Sequence, residues 1–358
     1  MSVLAVVALL AVLIFVHELG HFLAARLQGI YANRFSIGFG PILWKYQGSQ
    51  TEYALRALPL GGFVGFPDDD PDSKIPPNDP NLLRNRPVLD RAIVISAGVI
   101  SNLLFAYLVL VTQLAIVGLP TSFNYQAGVI VPQVVSKDAV AAQAGVKDGD
   151  LIVAVNGQTL EASAKATDSL RQAIESNPGK PIQLQIQRQG EPVSLTVTPK
   201  ADDKGKGRIG VQLRPNGQTV YQRPSNLLSI FGIAAEEFQR IVVLTVQGFG
   251  QLVSNFSKTA EQVAGPVAIV ATGAKIAQAD SASLFNFAAL ISINLAVINI
   301  LPLPALDGGQ LAFLLIEGLR GKPVPTRIQD GVMQTGLVLL LSLGVFLIIR
   351  DTVNLIPQ

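Results

Sequence analysis

The stretch His17-Glu18-Leu19-Gly20-His21 holds both histidines of the chain, with a carboxylate between them. On an α-helix, residues four apart lie on one face, so His17 and His21 can address a single cation. Glu18 lies one position on, about 100° around the helix at 3.6 residues per turn, near the cation without having to be its ligand. A zinc ion with three protein ligands and one open position lowers the pKa of a water to about 7, and a neighbouring carboxylate can take the proton. The pattern points to metal-assisted hydrolysis of a peptide bond. The competing reading is two helix histidines satisfied by neighbouring polar groups. It would also have to account for the setting, because Val3 to Val16 is almost wholly apolar and runs into the motif without a turn signal. Ionisable groups at membrane depth are expensive and are functional by default.

Composition supports that setting. The 358 residues are 49% hydrophobic and only 15% charged, with a mean hydropathy of +0.42. This is too apolar for an ordinary soluble chain and implies several membrane spans plus a soluble portion. A net charge of +2 gives no reason to expect nucleic acid as a partner. Cysteine is absent, so disulfides are excluded and a zinc site must draw on histidine and carboxylate ligands. The N-terminal run lacks a basic leader and continues as helical sequence to about Arg26, so it reads as a retained span rather than a signal peptide.

Four spans are predicted, at about 2–25, 91–118, 284–301 and 333–349, which makes the chain a polytopic α-helical membrane protein. Between the first two, residues 31–65 carry glycines, aromatics and the alternation Thr51-Glu52-Tyr53-Ala54-Leu55-Arg56, consistent with a membrane-associated β-hairpin. Residues 67–80 read as an acidic, proline-rich linker. From about Ser122 to Pro215 the pattern becomes short strands (128–135, 151–155, 182–188, 193–198) and two modest helices (138–143, 167–176). Within it, Ala144-Gly145-Val146-Lys147-Asp148-Gly149-Asp150-Leu151-Ile152 and Val155-Asn156-Gly157 resemble the signature of PDZ domains, which bind extended peptide ends by strand addition. Residues 225–256 are apolar and helical in pattern but interrupted by Glu236, Glu237 and Arg240, as suits an amphipathic helix on the membrane surface. The third span breaks at Pro302-Leu303-Pro304. Two prolines so close free backbone groups that need partners at a lined cavity. Asp307 follows at once, positioned to be a third metal ligand and also to cap a helix over 308–319. The chain thus divides into an N-terminal membrane part (1–121), an inserted PDZ domain (122–216), an amphipathic membrane-surface segment (217–283) and a C-terminal membrane part (284–358).

Taken together, these motifs resemble the site-2 protease family of intramembrane zinc metalloproteases, in its RseP-like branch that carries a PDZ domain. The resemblance spans essentially the whole chain. It rests on His17 to His21, Leu60-Gly61-Gly62-Phe63-Val64, Gly98-Val99-Ile100-Ser101-Asn102, Gly265-Pro266-Val267-Ala268-Ile269 and Asn299 through Gly309. It implies that His17, His21 and Asp307 bind Zn2+ and that Glu18 is the general base. It further implies that Asn299 and its counterpart Asn102 help hold the substrate segment. Gly61, Gly62, Phe63 and Val64 would belong to a membrane-embedded β-loop that keeps the substrate extended. The chain departs from the family in having Val99 where many relatives have proline, and one PDZ domain where some have two.

Lys and Arg distribution gives an orientation. Arg26 and Arg34 follow the first span, Arg84, Arg86 and Arg91 precede the second, and Arg320, Lys322 and Arg327 lie between the last two. Both termini and the PDZ domain fall on the extracytoplasmic side, and the histidines and Asp307 converge towards the cytoplasmic side. A fifth span at 225–256 would put Asp307 opposite the histidines. The implied function is regulated intramembrane proteolysis of previously trimmed single-pass proteins, in a bacterial inner membrane or a plastid membrane. The PDZ domain would contact peptides or exclude bulky ectodomains. A membrane-anchored PDZ adaptor with a non-catalytic zinc site, or a metal transporter, would lack a use for Glu18 or for the PDZ domain respectively.

Overall fold

The structure is a computed structural model that describes residues 2–70, 73–136, 138–224, 226–256, 263–280 and 282–355. It separates into two compact units, one formed by Met1–Val117 with Pro224–Val353 and the other built from Gly118–Arg223.

The first unit is helical. Helix α1 (Ser2–Leu27) and helix α2 (Val88–Ile116) are 26 and 29 residues long. At 1.5 Å per residue each extends about 40 Å, longer than the ~30 Å hydrocarbon core of a bilayer. They approach closely because their facing residues are small. A side chain at Gly20 would overlap the Ala97 carbonyl and Ser101 Oγ, and Ser101 Oγ donates to the Val16 carbonyl at 2.9 Å. Close approach of backbones through small residues, sealed by hydroxyl hydrogen bonds, is how helices associate where lipid removes any hydrophobic drive.

The segment between these helices forms a sheet from two bent strands, β1 (Arg34–Gln47) and β2 (Glu52–Gly65). The pairs Arg34↔Glu52 and Phe35↔Tyr53 run parallel, Phe35↔Val64 and Ile37↔Gly62 run antiparallel, and Tyr46↔Tyr53 and Lys45↔Ala54 run antiparallel. The spatial order is therefore 62–65, 34–37, 52–55, 44–47, with 62–65 a free edge among the described residues. This is a fuller sheet than the expected hairpin. The expected linker after it is also held in place. Asp68 accepts from the Leu83 and Arg84 amides at 3.0 Å each, and Asp70 pairs with Arg34 at 2.8 Å. The acidic residues that suggested disorder are the acceptors that fix this turn; residues 71 and 72 lie outside the described ones.

Helix α3 (Val140–Gln143) and helix α4 (Lys165–Glu175) belong to the second unit. In the first unit the chain continues with α5 (Leu227–Ser254), α6 (Pro266–Ala279), α7 (Ser283–Ile300), α8 (Asp307–Arg320) and α9 (Thr326–Leu355). Helix α2 packs between α1 and α7 and also meets α5 and α8, while α6 lies on α1. Among the described residues, α1, α2, α7 and α9 are long and apolar enough to cross a membrane. Helix α9 starts at Thr326, seven residues before the predicted span. Hydropathy marks the lipid-facing part of a helix, and its polar first turns are helical too. Leu337, Val338, Leu339 and Leu341 on α9 are exposed, as expected of side chains that meet lipid. Helix α5 is continuous, with Tyr107 of α2 donating to the Phe231 carbonyl (3.1 Å) and Thr245 to Asn294 of α7 (3.1 Å).

The second unit contains a sheet in the order β10 (Arg214–Gln222), β3 (Leu119–Ile130), β4 (Leu151–Val155), β6 (Ile182–Arg188), β7 (Glu191–Val197), with α4 against it, β5 (Gln158–Thr159) paired to β4, and a separate short pair β8 (Lys200–Ala201) and β9 (Gly207–Arg208). Alternation sets its faces: Ile182, Leu184 and Ile186 are buried, while Gln183, Gln185 and Gln187 are exposed. Leu170 and Ile174 of α4 complete the core. The strand predicted at 128–135 instead ends at Ile130 and begins at Leu119, where it pairs with β10 through Phe123↔Thr219 and Leu119↔Gln222.

Candidate metal centre

Two elements bring three side chains to one point. Helix α1 supplies His17 and His21 one turn apart, and the start of α8 supplies Asp307. His17 Nε2 lies 3.3 Å and His21 Nε2 3.4 Å from Asp307 Oδ2, and the two Nε2 atoms are 3.2 Å apart. Zinc bonds of 2.0–2.1 Å in tetrahedral geometry require ligand atoms about 3.3 Å apart, so this triangle has the dimensions of one face of a zinc tetrahedron. Among the described residues these three form a group able to hold a metal ion.

Other features of the site fit a metal. Asp307 Oδ2 is buried and has no hydrogen-bond donor. His21 Nδ1 donates to the Val94 carbonyl at 2.9 Å, which leaves Nε2 as the free nitrogen. Gly98 keeps the space open, since any Cβ there would overlap His21 Nε2 and come within 2.8 Å of His17 Cε1.

The route to Asp307 explains its neighbours. Helix α7 ends at Ile300, and Leu301 is extended ahead of the two prolines. The carbonyls of Ile300, Leu301 and Leu303 fold directly over Gly308 and Gly309, which have no room for a side chain. Ala305 adopts φ 67°, a left-handed conformation that costs a non-glycine residue about 1 kcal/mol or more and commonly marks a functional site. Asp307 is the first residue of α8, and the preceding Leu306 provides no side-chain cap. The expected capping role is therefore absent. A carboxylate at this position is free to turn towards the histidines.

The metal face opens into a cavity of about 680 Å³ lined by Glu18, Gly61 to Val64 and Asn299 as well as the three metal-type residues. Glu18 is 8% exposed and packs against Gly62, where a side chain would come within 2.7 Å of Glu18 Cγ. Asn299 Nδ2 is 3.4 Å from His17 Nε2. Asn102 is not in the cavity wall. It sits behind His17, fully buried, with Nδ2 3.2 Å from His17 Nδ1. In sequence Gly98 stands out only as part of the Gly98-to-Asn102 motif, and nothing there shows that it faces the histidines.

The model of peptidase family M50 matches residues 5–343. The chain belongs to peptidase family M50. A Nostoc sp. chain named as a candidate zinc metalloprotease is 64% identical over 100% of this chain and 98% of its own length. The chloroplastic membrane metalloprotease ARASP of Arabidopsis thaliana is 49% identical over 99% of this chain and 79% of its own. The zinc metalloprotease RasP of Geobacillus kaustophilus is 29% identical over 96% and 95%. Among solved structures, the PDZ domain of an SdrC-like protein from Listeria innocua matches 24% of this chain and 93% of its own at 27% identity, with a TM-score of 0.21. Membership of family M50 makes the chain a zinc metalloprotease of the site-2 type, and its apolar helices make it a membrane protein.

Proposed function

We propose that this M50 metalloprotease cleaves peptide bonds within the membrane segments of single-pass proteins whose ectodomains have already been trimmed. The observation that carries this reading is the zinc-sized triangle of His17, His21 and Asp307 at the wall of a largely apolar cavity that Glu18 also lines. His17, His21 and Asp307 hold the ion. Zinc when bound there supplies Lewis acidity, which polarises a carbonyl and acidifies water. Glu18, desolvated against Gly62, accepts a proton from the attacking water and passes it to the departing amine. Asn299 donates its amide N–H towards the reacting carbonyl oxygen. The free edge at Gly61 to Val64 holds the substrate as an added strand, because a helix would hide its scissile carbonyls. The positive-inside distribution sets the site towards the cytoplasm and the PDZ-like unit outside, where it screens ectodomains by size or binds a new terminus. Of the segment expected at the membrane surface, residues 217–222 belong instead to the second unit's sheet, and helix α5 then lies along the outer membrane surface.

The test is cleavage of a truncated single-pass substrate by purified full-length protein, comparing wild type with Glu18→Gln and measuring zinc in both. Cleavage by wild type alone, with equal zinc, is expected. Zinc in both proteins with no cleavage of any truncated substrate would favour a non-catalytic PDZ adaptor.

A further inference from the structure

We propose that Asn102 is a positioning residue for His17, its side-chain oxygen accepting the Nδ1–H of His17 and so fixing the ring form that presents Nε2 to the metal. This rests on the reading of His17 as a zinc ligand and differs from a role in holding substrate. Three observations carry it. Asn102 is fully buried behind His17 and outside the cavity lining. Its amide nitrogen stands 3.2 Å from His17 Nδ1, whereas its Oδ1 is buried without a hydrogen-bond partner. His17 Nε2 is the nitrogen that faces His21 and Asp307.

These facts conflict unless the amide is turned. A neutral imidazole that gives Nε2 to a cation carries its proton on Nδ1, so Nδ1 needs an acceptor. An amide N–H pointed at it would set donor against donor. Which end of an amide is oxygen is assigned from its partners, and a half-turn about Cβ–Cγ places Oδ1 against Nδ1–H. The turn gives both the ring nitrogen and the orphaned oxygen a partner. His21 has the same arrangement, with the Val94 carbonyl accepting from Nδ1. The two histidines would then be oriented alike from α2, one by a main-chain oxygen and one by a side-chain oxygen. The post is rigid, because the Asn102 carbonyl accepts from Ser292 Oγ of α7 at 2.8 Å. Outer acceptors of this kind typically change metal affinity by about 10–100-fold when removed.

The test uses full-length protein in nanodiscs and reads zinc affinity by competition with a chelator, without recourse to proteolysis. Asn102→Leu removes the acceptor and is expected to weaken zinc binding by about 10–100-fold. Asn102→Asp, which accepts but does not donate, is expected to hold zinc as wild type does. Because the chain has only two histidines, selective 15N-histidine labelling resolves their ring nitrogens. Nδ1 of His17 should be protonated in zinc-loaded wild type and Asn102→Asp. Wild-type zinc affinity in Asn102→Leu, or loss of zinc in Asn102→Asp, would overturn the proposal, and the second variant decides even if the first does not fold. His17→Ala separates the two levels. If it binds zinc normally, the ligand reading itself falls; if it loses zinc while Asn102→Leu keeps it, only the role of Asn102 falls.

Discussion

At the scale of single residues, the site depends as much on a missing side chain as on those present. Gly98 faces both histidines from α2, and one added methyl group would occupy the space of His21 Nε2. Gly98→Ala should therefore lose zinc while the protein remains folded and membrane-inserted, as measured by metal content of the purified variant beside its helical circular dichroism. Retention of stoichiometric zinc would mean that α1 and α2 can separate enough to admit the methyl group. The meeting of His17, His21 and Asp307 was legible in the sequence, the first two from their spacing on one helix and the third from the proline break ahead of it. The contacts of Gly98 and Asn102 were not. They depend on which residues of α2 face α1, and a span that is apolar on every side carries no periodicity to reveal its rotation.

At the scale of elements, the last helix is attached to the rest of the unit at its two ends. Near its start, Gly336 fits against Pro304, and Ala305 N–H reaches Met333 Sδ at 3.4 Å. Near its end, Asp351 is 4% exposed and accepts from the Ala268 amide at 2.9 Å, with Arg350 donating to the Val263 carbonyl. Helix α6 has Gly265 at its N-cap and no cap of its own, so α9 supplies the carboxylate that its first turn needs. Asp351→Ala should cost about 1–2 kcal/mol from the lost cap and the orphaned amide, seen as a lower Tm in detergent and faster hydrogen exchange at residues 267–269. An unchanged exchange rate there would show that α6 is held by its packing on α1 alone. Hydropathy identified the four helices long and apolar enough to cross a membrane, since a lipid-facing helix must be apolar along its length. It gave no sign that residues 67–70 fold, because side-chain acceptors in an acidic stretch hold them beside the buried Pro67. It also missed β10 and the first half of β3, where the alternation is short and is interrupted by Pro120, Pro215 and Gly217.

For the whole molecule, the two units are stabilised in different ways. The helical unit relies on small-residue contacts, caps and lipid. The Gly118–Arg223 unit has a core of its own around Ile152, Leu170, Leu184 and Ile186 and, among the described residues, one buried charge. Burial of Asp150 opposes its ionisation. Arg188, donating from Nε and Nη2 at 2.8 Å each, outweighs that penalty together with the Lys147 amide, and the carboxyl is held below its usual range. A carboxyl whose folded pKa is depressed contributes stability above its unfolded value of about 3.9, and that stability disappears as pH falls through the folded value. The unit should lose urea resistance below about pH 4, and Asp150→Asn should be destabilised near neutrality and flatten that dependence. An equal acid slope in the variant would locate the titration elsewhere.

Docking of substrate on the edge at Gly62 to Gly65, as proposed above, has a chemical consequence for substrate choice. An edge strand offers only amide hydrogens and carbonyl oxygens, which every residue but one can match in return. A cleavage site recognised in this way would tolerate wide variation in side chains yet reject proline wherever the docked peptide must donate. Moving a single proline stepwise through a cleavable segment should inhibit hydrolysis at alternate positions, with a two-residue rhythm set by the pleat rather than by any sequence motif.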